Sequence, residues 1–157
     1  MTGEAFAKAV TEMTQTLYRV SCSQLPNEAD REDAVQEALR RAWEKRGSLR
    51  NEEYLRTWVV RILLNVCHDI RREGKRMIPA EEIPGPDVPS AEEPVDLKEC
   101  LLRLDERERI PILLYYLEGF DIGQISAVLR IPRGTVKSRL HRGRNQLRTI
   151  CREEVFE

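Results

Sequence analysis

The sequence predicts an all-α protein made of two small helical domains joined by a proline-rich acidic linker. Apolar residues recur at helical spacing in both halves of the chain, and we find no convincing strand pattern. The stretch 78–94 carries five prolines and a glycine, which leave too few amide donors for a helix or a central strand. We therefore expect domains at 1–76 and 95–157, joined by a linker at 77–94.

The first part of the chain predicts three helices, at about 4–23, 28–45 and 52–73. The connection 46–51 contains a glycine and turn-forming residues, which indicates a loop. The last two helices each carry an apolar stripe that we expect to face the core: Val35, Ala38, Leu39, Ala42 and Trp43 in one, and Leu55, Trp58, Val59, Ile62, Val66 and Ile70 in the other.

The second part predicts helices at about 95–104 and 106–117, then a short helix and a long one. Pro111 either kinks its helix or marks the true start near Ile110. Gly119 suits a left-handed C-terminal cap. Asp121 and Gln124 have the spacing of a capping box at the start of the short helix, and Pro132 suits the first turn of the last one.

Charge is distributed very unevenly along the chain. The formal net charge of −1 does not suggest a nucleic-acid binder. However, the stretch 130–152 carries eight Lys or Arg residues and no Asp or Glu, whereas 79–99 carries seven acidic residues against Lys98 alone. Because local charge decides which surface meets a polyanion, the basic stretch favours contact with nucleic acid.

A short helix, a tight turn and a longer basic helix form a helix-turn-helix pattern over about 121–148. The second helix of such a unit places its first turns in the DNA major groove. A solvated basic helix that binds nothing is the alternative, but the capped two-helix context favours DNA binding. We expect base contacts from Lys137, Ser138, His141 and Arg142, close approach at Gly134 and Thr135, and phosphate contacts from Arg133, Arg139, Arg144 and Arg148.

The sequence contains no motif that predicts an enzyme. No phosphate-binding loop, HExxH or GxSxG pattern occurs. The four cysteines are far apart, none in a CxxC pair, so we expect reduced thiols and neither a metal site nor a cofactor. No run of eighteen apolar residues and no secretory signal are evident, so we expect a cytoplasmic protein that does not insert into a membrane.

Four stretches resemble extracytoplasmic-function sigma factors of the sigma-70 family. The stretch 125–144 resembles region 4 of that family, and 114–120 is similar to the segment that precedes it. The run 33–38 followed by 41–43 looks like region 2.2, and 54–62 with Asn65, Asp69, Arg71 and Arg72 looks like regions 2.3 and 2.4. The motifs occur in the family's order on both sides of the proline-rich linker.

This resemblance implies a transcription initiation factor for stress responses, with core RNA polymerase, promoter DNA and an anti-sigma factor as partners. The anti-sigma factor could hold the protein near the membrane. The resemblance implies contacts to the polymerase clamp from Asp33, Gln36, Glu37 and Arg40, and recognition and opening of the −10 element by Leu49, Arg50, Asn51, Trp58, Arg61, Asn65, Asp69 and Arg72. The helix-turn-helix residues would then read the −35 element. Trp58 also lies on an apolar stripe, which favours a mainly structural role for it.

Some positions depart from the family pattern. Asp105 stands where a proline often opens a helix, and Gln124 and Ser126 replace a common glutamate and alanine. Gly143 replaces a usual alanine, which should loosen its helix by roughly 1 kcal/mol. The main rival hypothesis is a stand-alone helix-turn-helix regulator that binds its operator as a dimer, but it leaves the motifs of the first domain unexplained.

Overall fold

The computed structural model describes residues 1–77 and 97–156, so nearly all of the predicted linker lies outside the described residues. The chain forms two compact units, one on each side of that linker. Within the described residues every regular element is a helix, which confirms the all-α prediction.

The first unit consists of helices joined by short connections. Residues 1–77 form four α-helices and two short 3-10 turns: α1 Gly3–Glu12, α2 Thr14–Gln24, α3 Glu28–Glu44, turns Arg46–Ser48 and Glu52–Tyr54, and α4 Leu55–Met77. The side chain of Asn27 caps the N-terminus of α3, where it accepts a hydrogen bond from the Ala29 amide at 2.8 Å. The connection 46–51 is not the plain loop that we predicted, because it contains the first of these turns.

The predicted helix 4–23 is broken at Met13, which separates α1 from α2. The Met13 amide donates to the Val10 carbonyl at 3.0 Å, a tighter bond than the α-helical one. The Thr14 hydroxyl donates to the Thr11 carbonyl at 2.7 Å and thereby satisfies a carbonyl at the end of α1. Val10 and Met13, at the two ends of this tighter bond, are both buried in the core.

Of the eleven predicted core residues of the first unit, six are buried, four are half-buried and Trp43 is exposed. Ala38, Ala42 and Val59 are fully buried, whereas the Trp43 side chain is 43% exposed. Trp43 lies in the last turn of α3, where its ring packs against Phe6 at 6.0 Å between centroids. Helical periodicity assigned Trp43 to the core face, but its ring lies at the edge of the core between Phe6 and the Arg46 guanidinium, which is 3.8 Å from the ring centroid.

The second unit contains the helix-turn-helix. Residues 97–156 form four α-helices and one π-helical turn: α5 Leu97–Leu102, α6 Glu106–Ile112, the π turn Leu113–Leu117, α7 Ile122–Leu129 and α8 Arg133–Phe156. Pro111 lies inside α6, which begins at Glu106 and not near Ile110. Proline removes one amide donor from the helix, and the wider π turn follows directly, with the Glu118 amide bonded to the Leu113 carbonyl at 3.2 Å.

Hydrogen bonds to Asp105 and Arg109 tie α5, α6 and α8 together. The Arg109 guanidinium donates to three carbonyls at and after the end of α5, those of Leu101, Leu102 and Leu104, at 2.8 to 3.2 Å. The side-chain amide of Gln146 in α8 bonds both to the Asp105 amide and to its carboxylate. A proline at position 105 would lack this amide donor.

The caps predicted around α7 are confirmed. The Asp121 carboxylate accepts from the Gln124 amide at 2.7 Å, and the Gln124 side chain accepts from the Asp121 amide at 2.9 Å. Gly119 has the left-handed φ of 72° expected of a C-terminal cap. Arg130 ends α7 with a φ of 56°, and this turn delivers the chain to α8, which begins at Arg133, one residue after Pro132.

Candidate nucleic-acid interface

Helix α8 presents an exposed polar face along its first three turns. Val136 and Leu140 are buried against the rest of the unit, which fixes the orientation of the helix. The opposite face is exposed and carries all four residues predicted to contact bases, together with two that were not included in that set: Gly134, Lys137, Ser138, His141, Arg142 and Asn145. We refer to these six residues as the α8 face.

Within the α8 face, some residues make polar contacts with one another. The Ser138 hydroxyl donates to the Gly134 carbonyl one turn earlier at 3.1 Å. The Asn145 amide and a His141 ring nitrogen lie 3.4 Å apart. The prediction missed Asn145, although its spacing of four residues from His141 and three from Arg142 places it on the same side of the helix.

The basic residues predicted for phosphate contact lie at the edges of the α8 face. Arg133 is exposed, and its guanidinium folds back so that Nη2 would lie 3.0 Å from a Cβ added at Gly123 in α7. Thr135, Arg139 and Arg144 are half-buried. Arg144 donates to the Tyr116 hydroxyl at 3.0 Å, so this cation is directed toward the π turn rather than across the α8 face.

The residues assigned to the −10 element fall into two groups in the first unit. Leu49, Arg50 and Asn51 lie in the connection before α4, where the Asn51 side chain accepts from the Glu53 amide at 3.0 Å. The remaining five recur at helical spacing along one side of α4: Trp58, Arg61, Asn65, Asp69 and Arg72. Trp58 is half-buried, with its ring edge-on to Phe6 at 6.3 Å, which is consistent with a structural role.

A groove of about 580 Å³ lies between α3 and α4. All four residues assigned to polymerase contact line it, and Asp69 from the −10 set lies on its far wall: Asp33, Gln36, Glu37, Arg40 and Asp69. Asp69 is therefore grouped with the proposed polymerase contacts rather than with the loop 49–51. Arg41, which the prediction missed, also lines the groove and joins its two walls.

Arg40 and Arg41 hold the Glu37 carboxylate in the groove. Arg40 donates to it through Nε and Nη2 at 2.9 and 2.6 Å, and Arg41 Nε donates at 2.9 Å. These hydrogen bonds, chiefly those from Arg40 and then that from Arg41, lower the pKa of Glu37 to about 2. Arg41 Nη1 lies 3.6 Å from the Asp69 carboxylate, so one guanidinium bridges α3 and α4.

Within residues 1–77 and 97–156, no three His, Cys, Asp or Glu side chains group as they would around a metal ion. In the same part of the chain, no helix combines the length and the apolar character needed to cross a membrane.

Sequence profiles of known families account for both units. The profile "Sigma-70 region 2" matches residues 9–77, and "Sigma-70, region 4" matches residues 95–147. The chain belongs to the sigma-70 family. Its relatives place it in the extracytoplasmic-function (ECF) class of sigma factors. A region 2 match leaves the hypothesis of a stand-alone helix-turn-helix regulator without support.

Individual relatives of the sigma-70 family agree with this assignment. The chain is 29% identical to the ECF RNA polymerase sigma factor SigW of Bacillus subtilis, covering 96% of this chain and 90% of that protein. It is 31% identical to the ECF RNA polymerase sigma factor SigE of Mycolicibacterium smegmatis, covering 94% and 62%. Among solved structures, the sigma factor RpoE of Bartonella quintana, in complex with the anti-sigma factor NepR, gives a TM-score of 0.80 at 26% identity, covering 95% and 98%.

Proposed function

We propose that this ECF sigma factor directs transcription initiation by contacting one promoter with both units. Promoter-directed initiation with RNA polymerase is the activity of the family to which the chain belongs. In this proposal the second unit reads the −35 element, and the first unit binds polymerase and opens the −10 element. Residues 77–94 connect the units, with the first extending over 1–76 and the second over 95–157.

The α8 face is the single observation that carries the proposal. The residues expected to reach base edges, Lys137, Ser138, His141 and Arg142, are all exposed on one side of one helix. Two of them are cationic, and the stretch 130–152 contains no carboxylate that would repel phosphate. An arginine or lysine at such a position can donate to O6 and N7 of guanine in the major groove. Arg133 and Arg139 at the edges would meet the DNA backbone.

The first unit would use its two surfaces for different tasks. The groove between α3 and α4 presents Asp33 and Gln36 beside the ion-paired cluster of Glu37, Arg40 and Arg41. This is a mixed-charge surface suited to a charged helical partner. We assign this surface to the polymerase clamp.

The loop and the stripe of α4 are assigned to the −10 element. Capture of a base from an opened strand needs a pocket together with nearby cations and polar groups. Arg61 and Arg72 supply cations and Asn65 supplies a polar side chain. Leu49, Arg50 and Asn51 lie in the connection before α4, where Arg50 adds a further cation.

We infer further that the protein acts in the cytoplasm, without a catalytic site of its own. In a bacterial cell, promoter DNA and RNA polymerase are in the cytoplasm, and the polymerase catalyses RNA synthesis. We also propose an anti-sigma factor as a partner, because the similar RpoE was solved in complex with one. Such a partner would keep the sigma factor from polymerase until a stress signal releases it.

In vitro transcription with purified bacterial core polymerase and a promoter library tests the proposal. Addition of the protein should yield transcripts from a subset of promoters that share −10 and −35 sequences. A Lys137→Glu, Arg142→Glu double variant serves as the matched control, because both side chains are exposed and the fold should persist. The variant should lose these transcripts, and equal transcription from all templates with or without the protein would refute the proposal.

A further inference from the structure

Two of the four cysteines lie together in the second unit. Cys100 in α5 and Cys151 near the end of α8 are separated by 51 residues in sequence, yet their Sγ atoms are 3.5 Å apart. A disulfide bond brings two sulfurs to about 2.0 Å, so the pair needs to close by only about 1.5 Å. In this structure the two side chains are thiols and are not joined by a disulfide.

The surroundings keep the two thiols in position. Arg109 holds the end of α5 through its carbonyls, and the Gln146 side chain holds α8 to Asp105 between α5 and α6. These contacts join the helices that carry the two thiols and so favour the close approach of their sulfur atoms. Proximity of this kind raises the effective concentration of one thiol at the other.

The two thiols differ in their exposure to solvent, and this difference suits them to different steps of an oxidation. Cys151 is half-buried, whereas Cys100 is fully buried. An oxidant from solution therefore reaches Cys151 first, and Cys100 is protected from direct attack but is placed to react with the oxidised Cys151 sulfur. An exposed reactive cysteine beside a second, resolving cysteine is the arrangement that redox-sensing thiols need.

We propose that Cys100 and Cys151 form a reversible disulfide when the protein meets a hydroperoxide. The Cys151 thiol first releases its proton, and the thiolate attacks one peroxide oxygen. The O–O bond breaks, a sulfenic acid forms, and the departing hydroxide (or alkoxide) takes up the released proton and leaves as water (or alcohol). The Cys100 sulfur then attacks the Cys151 sulfur and displaces hydroxide, which takes the proton from the Cys100 thiol and leaves as water. Two thiols are oxidised to one disulfide, and a small thiol reductant reverses the reaction by exchange.

The disulfide would tie α5 to α8 and so brace the second unit. Leu97 and Leu101 of α5 and Leu147 of α8 line an apolar groove of about 360 Å³, and the bond would join two walls of this groove. A cross-link that closes a loop of this length restricts the unfolded chain, which raises the unfolding temperature. The α8 face lies at the other end of the helix, so its residues stay exposed in both states.

The cysteines of the first unit serve as an internal comparison, because both are less accessible to an oxidant than Cys151. Cys22 and Cys67 are both buried. Burial raises the pKa of the Cys67 thiol to about 12, which leaves almost none of the thiolate that attacks a peroxide. Oxidation should therefore select Cys151 over Cys67 in the folded protein.

The test treats the full chain with a stoichiometric amount of hydrogen peroxide, then alkylates it and maps it with trypsin. We expect the intact protein to lose two hydrogen atoms, and the peptides 99–103 and 149–152 to run as one cross-linked species. Dithiothreitol should restore the separate peptides. The unfolding temperature should be higher for the oxidised than for the reduced protein.

Two variants complete the test. Cys151→Ser should abolish both the cross-link and the temperature shift, whereas Cys22→Ala should keep both. Oxidation of Cys151 to sulfinic or sulfonic acid while Cys100 stays a thiol would overturn the proposal. Preferential cross-linking of the peptides that carry Cys22 or Cys67 would overturn it as well.

Discussion

Gly143 in α8 and Ile112 in α6 are in such close contact that a side chain at position 143 would force its neighbours to shift. A Cβ atom added at Gly143 would lie 2.5 Å from Cγ1 and 2.9 Å from Cδ1 of Ile112, and 3.3 Å from Cβ of Glu108. Ile112 is 1% exposed and has little room to move. The glycine therefore sets the distance between the two helices, and the expectation that it merely loosens α8 was incomplete.

We expect Gly143→Ala to destabilise the second unit, although alanine is the better helix former. The gain in helix propensity of about 1 kcal/mol is opposed by overpacking, which typically costs about 1–3 kcal/mol. Urea denaturation followed by circular dichroism should show a lower unfolding midpoint for the variant.

Two further variants separate packing from helix propensity. Gly134→Ala, with open space around its added methyl group, should leave stability unchanged or raise it. Ile112→Ala makes room for the new methyl group, so Gly143→Ala should cost less in that background than in the native protein. An increase in stability for Gly143→Ala alone would contradict the close contact.

Features that depend on a few neighbouring residues were predictable from the sequence. The capping box of Asp121 and Gln124 and the left-handed Gly119 follow from local backbone chemistry, and both were predicted correctly. The exposed side of α8 follows equally from helical periodicity, because the apolar residues Val136 and Leu140 define the buried side.

Features that depend on which helices meet were not predictable. The helical stripe that includes Trp43 continues to the end of α3, but periodicity does not reveal where the packing partner ends. The contact between Arg41 and Asp69 joins residues that are 28 positions apart, and no local pattern links them. In the sequence of α8 alone, a glycine at position 143 only lowers the helix propensity. The structure shows that it allows the close contact between α8 and α6.

A second prediction concerns the groove between α3 and α4. If this groove binds the polymerase clamp, Asp33→Ala should weaken the affinity for core polymerase, because an exposed carboxylate at its edge is lost. We expect a loss of about 0.2–1 kcal/mol, the range of exposed ion pairs. Glu32→Ala is the matched control, since this neighbouring acidic residue is exposed but does not line the groove. Fluorescence anisotropy with labelled protein measures the affinity of each variant for core polymerase. Equal losses of affinity in the two variants would argue against the groove as the binding site.

The Glu37 carboxylate makes the stability of the first unit depend on pH. Because its pKa is lowered from 4.5 to about 2 in the folded protein, the unfolded chain binds the proton more tightly. The stabilising contribution is therefore complete above pH 4.5 and is lost as the pH falls from there toward 2.

Glu37→Gln tests this dependence directly. The neutral amide can still accept a hydrogen bond from Arg40 or Arg41, but it has no proton to bind in this range. Urea midpoints at pH 5 and pH 3 should differ less for the variant than for the native protein. Glu32→Gln, which removes a carboxylate outside this cluster, should retain the native difference, and the same retention in Glu37→Gln would show that Glu37 is not the responsible group.

The last prediction separates base reading from phosphate contact at Arg142. Arg142→Ala should cost about 1–3 kcal/mol on the preferred −35 sequence if the guanidinium donates to a base, and much less on a scrambled sequence. Arg142→Lys keeps the charge but loses the planar pair of donors, so it should recover non-specific binding and only part of the preference. Promoter-selective transcription with core polymerase, measured on matched templates that differ only in the −35 element, gives the comparison. An equal loss on both templates, fully restored by lysine, would assign Arg142 to the DNA backbone and transfer base reading to the other exposed residues of the α8 face.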